Sequence, residues 1–189
     1  MPHLYDIDVR IPMRDGVALA ANVWRLADGE GPTLLVRLPY SKDAMGLLHE
    51  IVPGLPALLE AGYALVVQDC RGTYRSEGEF VPHMADRADG EDTVAWIAGQ
   101  PWSDGTVGMY GPSYLGMVQW ETAATGSPAL KAIAPSLTSI DNYEAPWYSA
   151  GGALSLSLVT SWNAMMYTAD AQRSLALGEG SLARVQELV

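Results

Sequence analysis

Ten residues near the middle of the chain, Val107-Gly108-Met109-Tyr110-Gly111-Pro112-Ser113-Tyr114-Leu115-Gly116, restrict its fold more than any other stretch. A short apolar run of strand character passes through a tight turn directly into a helical run, with a serine at the turn. Small residues there let strand and helix approach closely. The turn holds the serine Oγ clear of the backbone, beside helix N–H groups and the positive end of the helix dipole. A nucleophilic serine needs that setting, because those N–H groups can hold an oxyanion. The usual pattern is Gly-x-Ser-x-Gly. Here Leu115 occupies the place of the second glycine and Gly116 follows one residue late. A serine that merely caps a helix fits the same ten residues.

The flanking sequence supplies a matching architecture. Tyr5 to Ile11 and Val17 to Leu26 are β-prone runs broken at Asp15-Gly16, which predicts an antiparallel hairpin. Thr33 to Leu38 and Ala64 to Gln68 are short apolar runs of the kind buried on both faces of a sheet. Between them, residues 46–61 have helical spacing, with Pro53 and Pro56 forcing an irregular or late start. A charged, glycine-rich loop covers Asp69 to Glu79. Asp86 to Gln100 predicts a helix with carboxylates in its first turn, Thr106 to Tyr110 a strand, Tyr114 to Ala124 a helix and Leu130 to Ala134 a strand. The alternation gives an α/β fold: a mostly parallel sheet with helices on both faces, preceded by an antiparallel hairpin. Residues 1–139 form that domain. Residues 140–189 change to helical spacing with Tyr143, Trp147, Tyr148, Trp162 and Tyr167, and read as the beginning of a separate helical layer. The sequence stops at Leu188-Val189 inside an amphipathic pattern, so the domain is expected to continue.

Composition narrows the function classes. A net charge of −11 with no Lys/Arg cluster argues against nucleic acid and anionic membranes as partners. No run of about 18 apolar residues suggests a membrane span, and the N-terminus lacks a basic segment followed by an apolar one. The single cysteine, Cys70, excludes an internal disulfide and reads as a small buried hydrophobe, and a reducing, cytoplasmic location is the expectation. Trp96 and Trp102 read as core packing.

Four segments in order resemble one family, the Xaa-Pro dipeptidyl-peptidase and cocaine-esterase group of α/β-hydrolase acyl hydrolases. They are Met13-Arg14-Asp15-Gly16-Val17-Ala18-Leu19, Arg37-Leu38-Pro39-Tyr40-Ser41-Lys42, Val67-Gln68-Asp69-Cys70-Arg71-Gly72 with Ser76-Glu77-Gly78-Glu79-Phe80, and Gly111-Pro112-Ser113-Tyr114-Leu115-Gly116. Each is weak alone, but their order and spacing match from residue 5 to about 140, and the late glycine is the family's own variant of the serine turn. The resemblance implies Ser113 as nucleophile, the backbone N–H of Tyr114 as one oxyanion donor and the Tyr40 hydroxyl as the other. It implies no metal or organic cofactor, and a small-molecule ester or amide as substrate. Residues 140–189 would begin a helical cap over the active site, its aromatic residues lining a pocket or filling the cap's own core. Asp69 and Arg71 read as a charge-paired turn bracing the loop that bears Tyr40.

A serine nucleophile needs a base, usually histidine oriented by a carboxylate that lies between serine and histidine in an α/β-hydrolase chain. His3, His49 and His83 all precede Ser113. The resemblance places acid and base beyond Val189, so Asp141, Glu144, Asp170, Glu179 and Glu187 are not nominated, and the segment alone is expected to be almost inactive. It is also expected to self-associate through an unpaired sheet edge and an exposed apolar face. The rival reading is a non-catalytic α/β module in which Ser113 only caps a helix. Metal-dependent hydrolysis is disfavoured by the scattered histidines.

Overall fold

A computed structural model describes residues 2–44, 54–143, 145–149, 151–176 and 178. The chain divides into two compact units, Met1–Thr138 and Ser139–Val189.

The first unit is built on a six-stranded sheet. Its strands are β1 (His3–Pro12), β2 (Ala18–Leu26), β3 (Gly31–Leu38), β4 (Ala64–Asp69), β5 (Ser103–Pro112) and β6 (Leu130–Ser136), in the spatial order β1-β2-β4-β3-β5-β6. β1 pairs with β2 and β2 with β4 antiparallel, while β4, β3, β5 and β6 run parallel. The α/β class and the leading hairpin are therefore as the sequence predicts. Gly16 takes φ +87° in the hairpin turn, a conformation costly for a side-chain-bearing residue. One irregularity is not predicted: the β1/β2 register shifts between Asp6 and Val9, where Asp8 has φ +54°.

Among the described residues three helices accompany the sheet: α1 (Leu55–Glu60), α2 (Asp86–Ala98) and α3 (Tyr114–Ala123). Of the stretch expected to be helical over 46–61, Leu55–Glu60 is helix, with Pro56 in its first turn where a missing N–H costs nothing; residues 45–53 lie outside the described residues. Period-2 alternation gives the central strands two buried faces. On one, Val36, Leu38, Leu65 and Val67 form an apolar cluster with Leu115, against which Leu55 and Leu58 of α1 pack. On the other, Arg37 and Gln68 reach α2, where Arg37 donates to the Asp86 carbonyl and Gln68 to Thr93. α2 and α3 cross closely at Gly90, where a Cβ would collide with Thr122. Cys70 is fully buried and its thiol is pushed well above the usual range by burial, as a small core residue should be. Trp96 and Trp102 meet edge on with ring centroids 6.3 Å apart.

The second unit contains a two-stranded hairpin, β7 (Tyr148–Ser149) and β8 (Ala153–Leu154), and then the 21-residue helix α4 (Leu156–Ala176). The helix is as the spacing predicts. The hairpin is not, because two-residue exposed strands leave no apolar alternation to read. Trp147 and Trp162 meet edge on at 5.2 Å and Tyr143 lies 5.4 Å from Tyr148, so these aromatic rings pack within the unit. Among the described residues no helix is long and apolar enough to cross a membrane.

Candidate active site

β5 ends at Pro112, α3 begins at Tyr114, and Ser113 makes the turn between them with φ +57° and ψ −125°. A non-glycine residue there carries strain of about 1–3 kcal/mol and persists only where its surroundings over-determine it. The backbone bonds do so. Ser113 N–H donates to the Ser136 carbonyl at 2.9 Å, and Gly116 and Met117 N–H groups donate to the Ser113 carbonyl at 2.9 and 3.1 Å. The side chain is exposed and makes no capping hydrogen bond. A capping serine has extended backbone and spends its oxygen on the helix N–H groups; Ser113 does neither.

The two glycines have separate steric causes. At Gly111, φ is +136° and a Cβ would lie 2.7 Å from the Leu115 Cβ. At Gly116 a Cβ would lie 2.5 Å from Thr138 Cγ2 and 2.9 Å from its Cβ. The close approach of α3 to its neighbour thus falls at position 116, while Leu115 turns into the apolar cluster below. That is why the second glycine comes late.

Tyr114 fixes the helix start. Its side chain is buried, its hydroxyl donates to Asp86 Oδ2 at 2.6 Å, and His83 N–H donates to that hydroxyl at 3.2 Å. Rings of His83 and Phe80 lie 5.3 and 5.9 Å from it. Burial, with the Asp86 carboxylate beside it, pushes the phenol well above its ordinary range. The side chain is therefore an anchor. What Tyr114 can offer a ligand is its main-chain N–H, one of the first helix donors, which have no intrahelical acceptor.

Asp86 and Arg37 extend this anchor and were not singled out by the sequence. Arg37 is fully buried; its Nε donates to Gln68 at 2.8 Å, and its Nη2 lies 3.6 Å from Asp86 Oδ1 and 3.9 Å from Asp89 Oδ2, ion-pair rather than hydrogen-bond distances. The available signal was an arginine inside a strand that is otherwise apolar.

Tyr40 follows β3, is half-buried, and packs against the cluster that contains Leu115. The chain goes from β3 to β4 on one side and then to β5 on the other. The loops carrying Tyr40 and Ser113 hence leave the same end of neighbouring parallel strands and diverge there, the position at which open α/β sheets form their ligand crevice.

The predicted Asp69–Arg71 turn is corrected in its pairing. Asp69 is fully buried and its Oδ1 accepts the Lys42 N–H at 2.7 Å, so it does brace the Tyr40 loop, but through the main chain. Arg71 turns away to Asp89 at 2.6 Å and Asp15 at 2.8 Å, joining α2 to the hairpin turn. A guanidinium has five donors to satisfy, and those two carboxylates offer it better geometry than a neighbour two residues away in a strand end.

Burial, partly offset by the Lys42 N–H, pushes the Asp69 carboxyl from 3.8 up to about 7. The folded protein therefore keeps a proton between those values that the unfolded chain has released. Stability contributed at Asp69 is present below the unfolded value and is lost as pH rises through the folded one. Relative to the Asp69→Asn variant, the parent is expected to lose thermal stability as pH rises from about 4 to 7. Paired melting curves across that range check it, and parallel curves would refute the shift.

Of the histidines, His3 lies on the edge strand β1, across β2, β4 and β3 from β5. His83 stacks on the Tyr114 ring, and His49 lies outside the described residues. Among the described residues no group of three or more His, Cys, Asp or Glu side chains could hold a metal.

Residues 15–188 match the family described as X-Pro dipeptidyl-peptidase (S15 family). Cocaine esterase of Rhodococcus sp. (strain MB1 Bresler) is 51% identical over 162 residues, 85% of this chain. A CocE/NonD family hydrolase from Staphylococcus aureus superposes over 99% of this chain and 36% of its own, with TM-score 0.80 at 25% identity. An α-amino acid ester hydrolase covers 79% of this chain and 28% of its own, with TM-score 0.64 at 29% identity. The chain spans 28% of the length of the cocaine esterase.

Proposed function

The chain belongs to the X-Pro dipeptidyl-peptidase (S15) family, and on that premise we propose that the complete protein is a serine hydrolase that cleaves a small-molecule ester through an acyl-enzyme. Ser113 is the nucleophile. The observation that carries this reading is the positive φ of an exposed serine that caps nothing, at a strand-to-helix turn. Ser113 Oγ attacks the carbonyl carbon, and the charge that develops on the carbonyl oxygen is held by the Tyr114 N–H and the Tyr40 hydroxyl. The Ser113 hydroxyl proton passes to a histidine oriented by a carboxylate, both expected outside this segment, and the histidine gives it to the alcohol that departs as the ester C–O bond breaks. Water, deprotonated by the same histidine, then attacks the acyl-serine and releases the acid and free Ser113. An ester is preferred to an Xaa-Pro peptide because a cocaine esterase and an α-amino acid ester hydrolase are among the relatives.

Intact-mass labelling with a fluorophosphonate tests it. The complete protein is expected to take up one adduct, absent from its Ser113→Ala variant. Well-folded protein that takes up none would leave a binding module as the reading. Tyr40→Phe is expected to keep KM and to lower kcat by about 10²–10³, the usual cost of one oxyanion donor; steady-state kinetics on the preferred ester check it.

A further inference from the structure

The loop that carries Tyr40 is held in a conformation it would not choose. Ser41, next to Tyr40, has φ +79°, and the following Lys42 N–H donates to Asp69 Oδ1 at 2.7 Å. β4 brings Asp69 there, because its register sets Asp69 beside Leu38, two residues before Tyr40. The buried Asp69 carboxyl group accepts from the Lys42 main-chain N–H and, at 3.4 Å, from that of Arg75, and removing it would leave the buried Lys42 N–H without its acceptor. The Asp69 carbonyl is itself fixed, accepting from Ser76 Oγ at 2.7 Å.

A second tie acts through the Lys42 side chain. It is fully buried, and its Nζ lies 2.6 Å from Asp8 Oδ1 and 3.1 Å from Asp43 Oδ1. Asp8 is the residue at the β1 irregularity, with φ +54°, and Asn22 holds both acids by donating to Asp43 Oδ1 at 2.9 Å and accepting from the Asp8 N–H at 3.2 Å. The unpredicted distortion of the hairpin thus places a carboxylate on the lysine of the Tyr40 loop. A phenol that must meet a developing charge within a few tenths of an ångström gains from such fixing, and a misplacement of about 1 Å can cost about 10² in rate.

We propose that Asp69 is a positioning residue for the oxyanion donor: by clamping the Lys42 N–H it holds the strained Tyr40-Ser41-Lys42 turn, so that the Tyr40 hydroxyl is preorganised over Ser113. The inference rests on the function proposed above for Tyr40 and Ser113. It implies that Asp69 acts on the transition state through Tyr40 and through nothing else.

The test is a double-mutant cycle on the complete protein with a chromogenic ester. Asp69→Ala is expected to lower kcat by about 10–100-fold with KM unchanged. Asp69→Asn, which keeps a carbonyl acceptor for Lys42, is expected to cost less. In the Tyr40→Phe background neither change at Asp69 is expected to lower kcat further. Equal losses with and without the Tyr40 hydroxyl, or full kcat in a folded Asp69→Ala protein, would overturn the proposal. If Asp69→Ala does not fold, the Asp69→Asn arm alone decides it, since the same comparison of backgrounds applies. Should Tyr40→Phe leave kcat intact while Ser113 still takes up fluorophosphonate, the oxyanion role of Tyr40 fails. A Tyr40→Phe loss joined to additive Asp69 losses sinks the positioning role only.

Discussion

Ser113→Ala is expected to lower kcat of the complete protein by about 10⁵–10⁶-fold and to leave KM within a few-fold, because nucleophile and base act as a unit and what survives is the oxyanion hole and binding. Melting temperature should barely move, for alanine inherits the same φ of +57° and Ser113 Oγ makes no capping bond to lose. Ser113→Gly separates the two consequences further. Glycine tolerates that backbone, so this variant is expected to be equally inactive yet more stable by about 1 kcal/mol, the strain of the positive φ being released. A serine without a chemical role would leave the rate unaffected in both variants, while the stability gained by glycine, which follows from the backbone alone, would remain. Steady-state kinetics and melting curves on the three proteins distinguish the cases.

Legibility in the sequence followed the range of the interactions. The hairpin was readable from Asp15-Gly16, and the strand-to-helix turn from Gly111 and Gly116, because a turn's backbone demand is met by residues within a few positions. The parallel strands were readable because burial on both faces leaves a continuous apolar run. What was missed joins distant residues. Arg37 to Asp86 spans 49 positions, Asp69 to Lys42 spans 27, and Tyr114 to Asp86 spans 28. No local pattern records which carboxylate a strand will bring to which loop. Asp69 and Arg71 show the limit well: flanking Cys70, they suggested a mutual pair, and the fold instead sends one to Lys42 and the other to Asp15 and Asp89. The β1 irregularity at Asp8 escaped for the same reason, since its partners Lys42 and Asn22 lie on other strands and loops.

Arg37→Met is expected to be the most destabilising conservative change in the sheet, at about 3–5 kcal/mol, because it removes one member of a buried ionic network and keeps most of the volume. The effect should fall on Asp86 more than on Asp89. Asp89 keeps Arg71 at 2.6 Å, whereas Asp86 is left with the Tyr114 hydroxyl and the His83 N–H as neutral donors for a buried carboxylate. Adding Asp86→Asn to Arg37→Met should therefore recover part of the loss, an interaction that melting temperatures of the two single variants and the double variant measure. The same network fixes the first residue of α3 through Tyr114, so the loss of stability should be joined by slower fluorophosphonate uptake at Ser113 at temperatures where the protein remains folded. If Arg37→Met melts with the parent, the arginine only fills space. If it melts early and labels at the parental rate, the network holds the sheet to α2 without reaching the serine.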